Sequence, residues 1–209
     1  MSRPLLWDVD TQFDFVHASG KLAVPGAEDA VPAMARLVRW ASEHGVTHLA
    51  TADDHELTDP ELSDVPDFES TFPSHCLRGT PGAAKIDETA QADPLPLSLT
   101  PYPPGLVAGL VDGRRELLVL KKTYSAFSNP NLEPALDALD PSEVLLFGVA
   151  TDVCNHAAIL GLLARGRRVA FVEDACRGLS EERVAACLAE WRTGGVRFTT
   201  TDEVVASSP

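Results

Sequence analysis

Val144-Leu145-Leu146-Phe147-Gly148-Val149-Ala150-Thr151-Asp152-Val153-Cys154 is an apolar run that breaks at a glycine and ends in a thiol, and Asn155 to Ala164 then carry a helical apolar pattern. A strand that hands over directly to a helix is half of the βα unit from which parallel sheets are built. The thiol falls where the first helical N–H groups lack intrahelical partners and the dipole's positive end favours anions. A thiolate and a developing oxyanion are both expected to be stabilised there, which makes Cys154 a candidate nucleophile. A cysteine beside an apolar helix is equally an ordinary core residue, so the chemical reading needs partners.

Working outward, Leu5 to Val9, Val46 to Ala50, Leu117 to Leu120 and Val169 to Val172 are further short runs rich in Val and Leu, and they read as strands buried on both faces. Helical patterns lie between them at Ala30 to Glu43, Leu132 to Ala138 and Glu181 to Thr193, several ending at glycines such as Gly45, Gly166 and Gly194. A last strand, Val196 to Thr199, and a helical turn from Thr201 complete the pattern. The alternation predicts a three-layer α/β/α fold, a Rossmann-like, mainly parallel sheet of about six strands with helices on both faces. From Thr51 to Glu116 the rhythm fails: the segment is rich in Pro, Asp and Thr with almost no helical period, and it reads as a long functional loop that forms a wall of the site and an oligomer contact.

With 209 residues, 44% of them hydrophobic, and no internal repeat or shift of composition, residues 1–209 read as one domain with a substantial core. Seventeen basic residues against 31 acidic ones give a formal charge of −14, which disfavours nucleic acid and anionic membranes as partners and leaves a small molecule. Met1-Ser2-Arg3-Pro4 and the short strand after it do not resemble a signal peptide, and no stretch reaches the ~18 apolar residues of a membrane span, so a cytoplasmic protein is expected. Cys76, Cys154, Cys176 and Cys187 contain no CxxC pair and read as reduced thiols, Cys176 and Cys187 as structural ones.

Asp10 follows the first strand and Lys121 closes Leu117-Leu118-Val119-Leu120, so both stand near the strand ends where open parallel sheets carry their sites. Each alone could be a solvated surface charge. Together with Cys154 they make a mechanism: Asp10 takes the thiol proton and later passes it to a leaving amine, while the Lys121 ammonium holds both anionic partners. A second group, Asp53-Asp54-His55 with His75 twenty residues on, offers one carboxylate and two imidazoles to a divalent metal, zinc first, with iron or manganese as alternatives. His17, His44, His48 and His156 have no such spacing and read as structural or solvated.

These residues resemble the isochorismatase-like cysteine hydrolases, and within them the nicotinamidase (pyrazinamidase) branch. The resemblance is carried by Asp10-Thr11-Gln12-Phe13-Asp14-Phe15 with Leu22-Ala23-Val24-Pro25-Gly26, by Lys121-Lys122-Thr123-Tyr124-Ser125-Ala126-Phe127, by Gly148 to Cys154, and by Phe72-Pro73-Ser74-His75-Cys76 with Gly79-Thr80-Pro81-Gly82-Ala83. It implies a catalytic trio of Asp10, Lys121 and Cys154, and metal ligands Asp53, His55 and His75. It also implies a non-proline cis peptide between Val149 and Ala150, with the backbone N–H groups of Ala150 and Cys154 forming an oxyanion hole. The implied activity is hydrolysis of nicotinamide, or a close aromatic carboxamide, to the acid and ammonia in NAD salvage, by a homo-oligomer.

Two departures bear on substrate. The stretch Leu57 to Ser70, where that branch often carries a further metal ligand, offers only Glu61, Asp64, Asp67 or Glu69, and Phe72 stands where Trp is frequent. Phe15, Phe72 and Tyr124 could still sandwich a planar ring. The alternatives are a hydrolase of another small amide, N-carbamoyl or biuret-like, with a weak or absent metal site, and a non-catalytic α/β binding protein. A dinucleotide-binding module is disfavoured because no Gly-x-Gly-x-x-Gly occurs.

Overall fold

The computed structural model describes residues 3–207, so Met1 and Ser2 of the expected leaderless start lie outside it. Its centre is a seven-stranded sheet in which every paired strand runs parallel. The strands are β1 (Leu5–Val9), β2 (Thr47–Asp53), β3 (Leu95–Leu97), β4 (Glu116–Lys121), β5 (Val144–Val149), β6 (Val169–Arg177) and β7 (Arg197–Thr199), in the order β3-β4-β2-β1-β5-β6-β7. β1 and β5 are buried along their whole length, as strands covered on both faces must be, and β4, next to the edge, alternates buried with half-buried positions. The helices are α1 (Phe13–Val16), α2 (Ala27–His44), α3 (Leu106–Val111), α4 (Leu132–Leu139), α5 (His156–Ala164), α6 (Glu181–Thr193) and α7 (Thr201–Ala206), giving the expected three-layer α/β/α architecture.

α2 buries Ala27, Ala30, Met34, Leu37, Trp40 and Ala41, a stripe at helical spacing, and packs with it across β1, β2, β5 and β6. Gly45, at φ +64°, ends the helix by donating its N–H to the carbonyls of Ala41 and Ser42. The helix starts three residues before the expected Ala30, because Pro32 is accommodated inside it rather than at its first turn. Large buried side chains such as Trp7, Phe147, Leu49 and Leu117 fill the layers between helices and sheet, each worth roughly 1.5–3 kcal/mol of burial.

The expectation of about six strands is one short, and the missing strand lies in the segment expected to be loop. Leu95-Pro96-Leu97 pairs with Leu117 to Val119 at the sheet's edge, where a proline's missing N–H costs no ladder bond. The same segment holds α3, which buries Val107 and Val111 one turn apart, and a short 3₁₀ turn at Pro81–Ala83. Its Pro and Asp content hid these elements.

Chain order leaves β1 first towards β2 and β4 and then, on its other side, towards β5 and β6, so the direction of winding reverses between β1 and β5. In open α/β sheets the crevice at that reversal is where ligands bind, off the carboxyl ends of the strands. Gly148 lets the two strands meet there: at φ +123°, a Cβ on it would run into the Val9 backbone.

Candidate active site

Asp10, Asp53, Lys121 and Cys154 come from the carboxyl ends of the four adjacent strands β1, β2, β4 and β5. Asp53 and Lys121 are direct partners in the β2–β4 register. All are buried, Asp10 and Lys121 completely. Lys121 is the hub: its Nζ lies 2.9 Å from Asp10 Oδ2, 2.5 Å from Asp53 Oδ1 and 3.9 Å from Cys154 Sγ. A lysine closing a strand ordinarily reaches water; this one is enclosed by carboxylates, which outweigh its burial and hold its pKa well above the usual value.

Asp10 adopts φ +52°, an uncommon left-handed conformation for a residue with a side chain, and Thr51 holds it there. The Thr51 hydroxyl donates to Asp10 Oδ1 at 2.6 Å and accepts the Asp10 N–H at 3.2 Å. Burial, against the pull of Lys121, lifts the Asp10 carboxyl above its ordinary value. Gln12 plays the same supporting part for β2: its amide donates to Asp53 O at 2.8 Å and accepts the Asp53 N–H at 2.7 Å. Neither Thr51 nor Gln12 was expected as a site residue, and the only signal for either was its place beside a candidate.

Cys154 is the fourth residue of a π-helical turn, Thr151–Asn155, that joins β5 to α5, and the Val149–Ala150 peptide is cis, as the resemblance implies. The expectation of a stabilised thiolate needs correcting. Burial pushes the thiol well above its ordinary pKa and the Asp10 and Asp53 carboxylates push the same way, so the nearby ammonium and the helix end do not ionise it. The direction of that shift favours the protonated thiol. Cys76, Cys176 and Cys187 are buried and unpaired too, in keeping with reduced, structural thiols.

The second group assembles around Asp53. His75 Nε2 lies 3.4 Å and His55 Nε2 3.9 Å from Asp53 Oδ2, and Glu61 Oε1 lies 3.9 Å from His55 Nε2. The four residues each offer a ligand atom within 4.8 Å of the others, and all are buried. His55 Nε2 has no hydrogen-bond partner although it is enclosed, and burial favours its neutral, ligating form. Glu61, beside the Asp53 carboxylate, is pushed up to about 7 by burial and by that neighbour. Crowded carboxylates around an orphaned imidazole nitrogen are what a divalent cation would relieve, so the donor set fits a metal. Of the four residues considered for a further ligand, Glu61 joins the set. Asp64, Asp67 and Glu69 are exposed, Asp67 accepting the N–H groups of Glu69, Ser70 and Thr71 in its own turn.

Phe15, Phe72 and Tyr124 line the cavity over Cys154 together with Ala150, and the Phe15 and His75 rings stand 5.1 Å apart. Phe15 and Phe72 are buried, whereas Tyr124 is exposed, its N–H donating to Glu61 Oε2 at 2.7 Å. The free space is about 20 Å³, room for one water and too little for an aromatic ring, so side chains must move to admit one. Arg183 links the long segment to the turn after β5, donating to Phe68 O at 2.8 Å and to Asp152 Oδ2 at 3.0 Å.

A family model described as isochorismatase domain matches residues 5–203. The chain is 28% identical over 195 residues to the nicotinamidase/pyrazinamidase of Mycobacterium tuberculosis, covering 91% of this chain and 95% of that protein. It is 37% identical over a shorter stretch of 126 residues to isochorismatase domain-containing protein 2B of Mus musculus, 59% of each chain. The crystal structure of the pyrazinamidase of Pyrococcus horikoshii in complex with zinc superposes with a TM-score of 0.75 at 25% identity, covering 95% of this chain and 99% of that one.

Proposed function

This chain belongs to the isochorismatase family of hydrolases, and within it we propose a metal-assisted cysteine amidohydrolase that converts nicotinamide, or a close aromatic carboxamide, to the acid and ammonia. The observation that carries the reading is the position of Lys121 Nζ, in contact with Asp10, Cys154 and Asp53 at once, so that one ammonium joins the thiol's machinery to the metal-ligand group.

Cys154 Sγ attacks the amide carbon as Asp10 accepts the thiol proton, a concerted need because the resting thiol is neutral. The raised pKa of Asp10 suits it to that exchange. Lys121 stays charged and holds the carboxylate, and the Ala150 and Cys154 N–H groups receive the oxyanion. Asp10 gives the proton to the departing nitrogen and ammonia leaves a thioester. Asp10 then draws a proton from water as the water adds to the thioester, and the carboxylic acid and the thiol are restored. Asp53, His55, Glu61 and His75 would hold the metal, which when bound supplies a Lewis-acidic contact for the pyridine nitrogen of the substrate.

Zinc is the proposed ion, with iron or manganese as alternatives for a set of two imidazoles and two carboxylates. Phe15, Phe72 and Tyr124 are proposed to flank the ring. Among the described residues that line the cavity none is Arg or Lys, which argues against amides bearing a carboxylate, such as N-carbamoyl amino acids. Glu61 beside the other three donors supports this reading over a small-amide hydrolase with a weak or absent metal site. The reading further takes residues 1–209 as one domain, working in the cytoplasm as a homo-oligomer through the Thr51 to Glu116 segment, where Leu57 and Val65 are exposed. Among the described residues no helix is long and apolar enough to cross a membrane.

The test is ammonia release from nicotinamide by purified protein, metal-free and with added zinc, manganese or iron(II), beside Cys154→Ala. Turnover requiring both metal and thiol is expected, from a protein whose mass by light scattering is a multiple of the protomer's. No release from nicotinamide, with other small amides turned over, would falsify the substrate assignment.

A further inference from the structure

β4 ends at Lys121, which serves the trio, and a second lysine, Lys122, follows it directly. Lys122 sits in the bend after the strand and is directed away from the trio. Its Nζ lies 2.8 and 3.0 Å from the two carboxylate oxygens of Asp59. Asp59 Oδ2 in turn lies 3.2 Å from His55 Nδ1 and also accepts the Glu56 N–H at 2.9 Å. The far side of that imidazole is Nε2, the enclosed nitrogen without a hydrogen-bond partner, 3.9 Å from a carboxylate oxygen of Asp53 and of Glu61. A line of contacts thus runs from an exposed-side ammonium, through a carboxylate and a buried ring, to the metal-ligand group.

We propose that Asp59, anchored by Lys122, is a positioning residue that fixes the orientation and tautomer of His55 and so sets how tightly Asp53, His55, Glu61 and His75 hold a divalent cation. A carboxylate accepting at Nδ1 requires the proton on that nitrogen, which leaves the lone pair of Nε2 free for a metal and makes it more basic. Without Asp59 the ring could adopt the other tautomer or turn, at the cost of that donor. Lys122 holds the Asp59 carboxylate in place with both oxygens engaged. Asp59 touches none of the reacting atoms.

The inference rests on the reading of the four residues as a metal centre, and the experiment separates the two. Wild type, Asp59→Ala, Asp59→Asn and Lys122→Met are stripped with a chelator, and each is titrated with zinc ion alone in competition with a chromophoric chelator. Thermal melts of the zinc-free forms run alongside. Asp59→Ala is expected to weaken zinc binding about 10- to 100-fold. Asp59→Asn, which keeps an oxygen to accept from Nδ1, should recover most of the loss, and Lys122→Met should lie between them. Unchanged zinc affinity in Asp59→Ala, with only a lower Tm of the zinc-free protein, would mean a merely structural role and overturns the proposal. Should Asp59→Ala fail to fold, Lys122→Met decides: weaker zinc binding supports the relay and wild-type affinity overturns it. A wild type that takes up no zinc sinks the metal centre itself, and this inference with it, before any variant is compared.

Discussion

Cys154 lies 3.9 Å from an ammonium, yet burial, with the Asp10 and Asp53 carboxylates adding to it, raises the thiol well above its ordinary value. The expected consequence is that the free enzyme shows no ultraviolet thiolate band from Cys154 between about pH 7 and about pH 9, wild type and Cys154→Ala giving superimposable difference spectra. A Cys154-dependent band at neutral pH would refute a resting thiol. Asp10, Lys121 and Cys154 were legible as candidates from residue type and position at or after a strand end, and Asp53, His55 and His75 from the spacing of a carboxylate and two imidazoles in the long loop. Their protonation was not, because it depends on burial and on which charges share a partner. Glu61 could be named only as one of four acids, since loop sequence carries no period that says which side chain turns inward.

The turn from β5 into α5 also serves as a fastening for α6. Asp152, two residues before the thiol, accepts the N–H groups of Leu179 and Ser180 at 2.8 and 3.1 Å, ahead of the first turn of α6, and is gripped by Arg183. Asp152→Ala removes these contacts from a fully buried carboxylate and is expected to cost about 1–3 kcal/mol in urea unfolding, with kcat falling more than KM rises because Cys154 loses its fixed position. Unchanged stability and kcat would show that the fastening is immaterial. α6 itself was legible to the residue, Glu181 to Thr193, because its Ser180 cap and the closing Gly194 are local signals. β3 and α3 were not, because three residues with a central proline form a strand only when an edge is there to receive them.

At the scale of the whole molecule, the buried charge on β1 ties sheet to loop. Asp8 is enclosed, 2.8 Å from Lys85 Nζ and 3.4 Å from His48 Nε2, and Lys85 also donates to the Thr11 hydroxyl next to Asp10. Burial would raise the Asp8 carboxyl, but Lys85 and His48 outweigh it and hold it below the usual 3.8. A depressed carboxyl stabilises the fold above its unfolded value, and the contribution is lost as pH falls through the folded one. Asp8→Asn is therefore expected to be less stable by roughly 3–5 kcal/mol near neutral pH, with the gap closing below about pH 4. A gap constant with pH would count against the ion pair. The sequence by itself determined the parallel α/β class, the turn that carries Cys154 and the residue types of both groups, because apolar period and turn residues act over a few neighbours. The strand order, the convergence of Asp53 and Lys121, the place of Glu61 beside His55 and the raised pKa of the thiol were decided only by tertiary structure, because they depend on distance and burial between residues far apart in the chain.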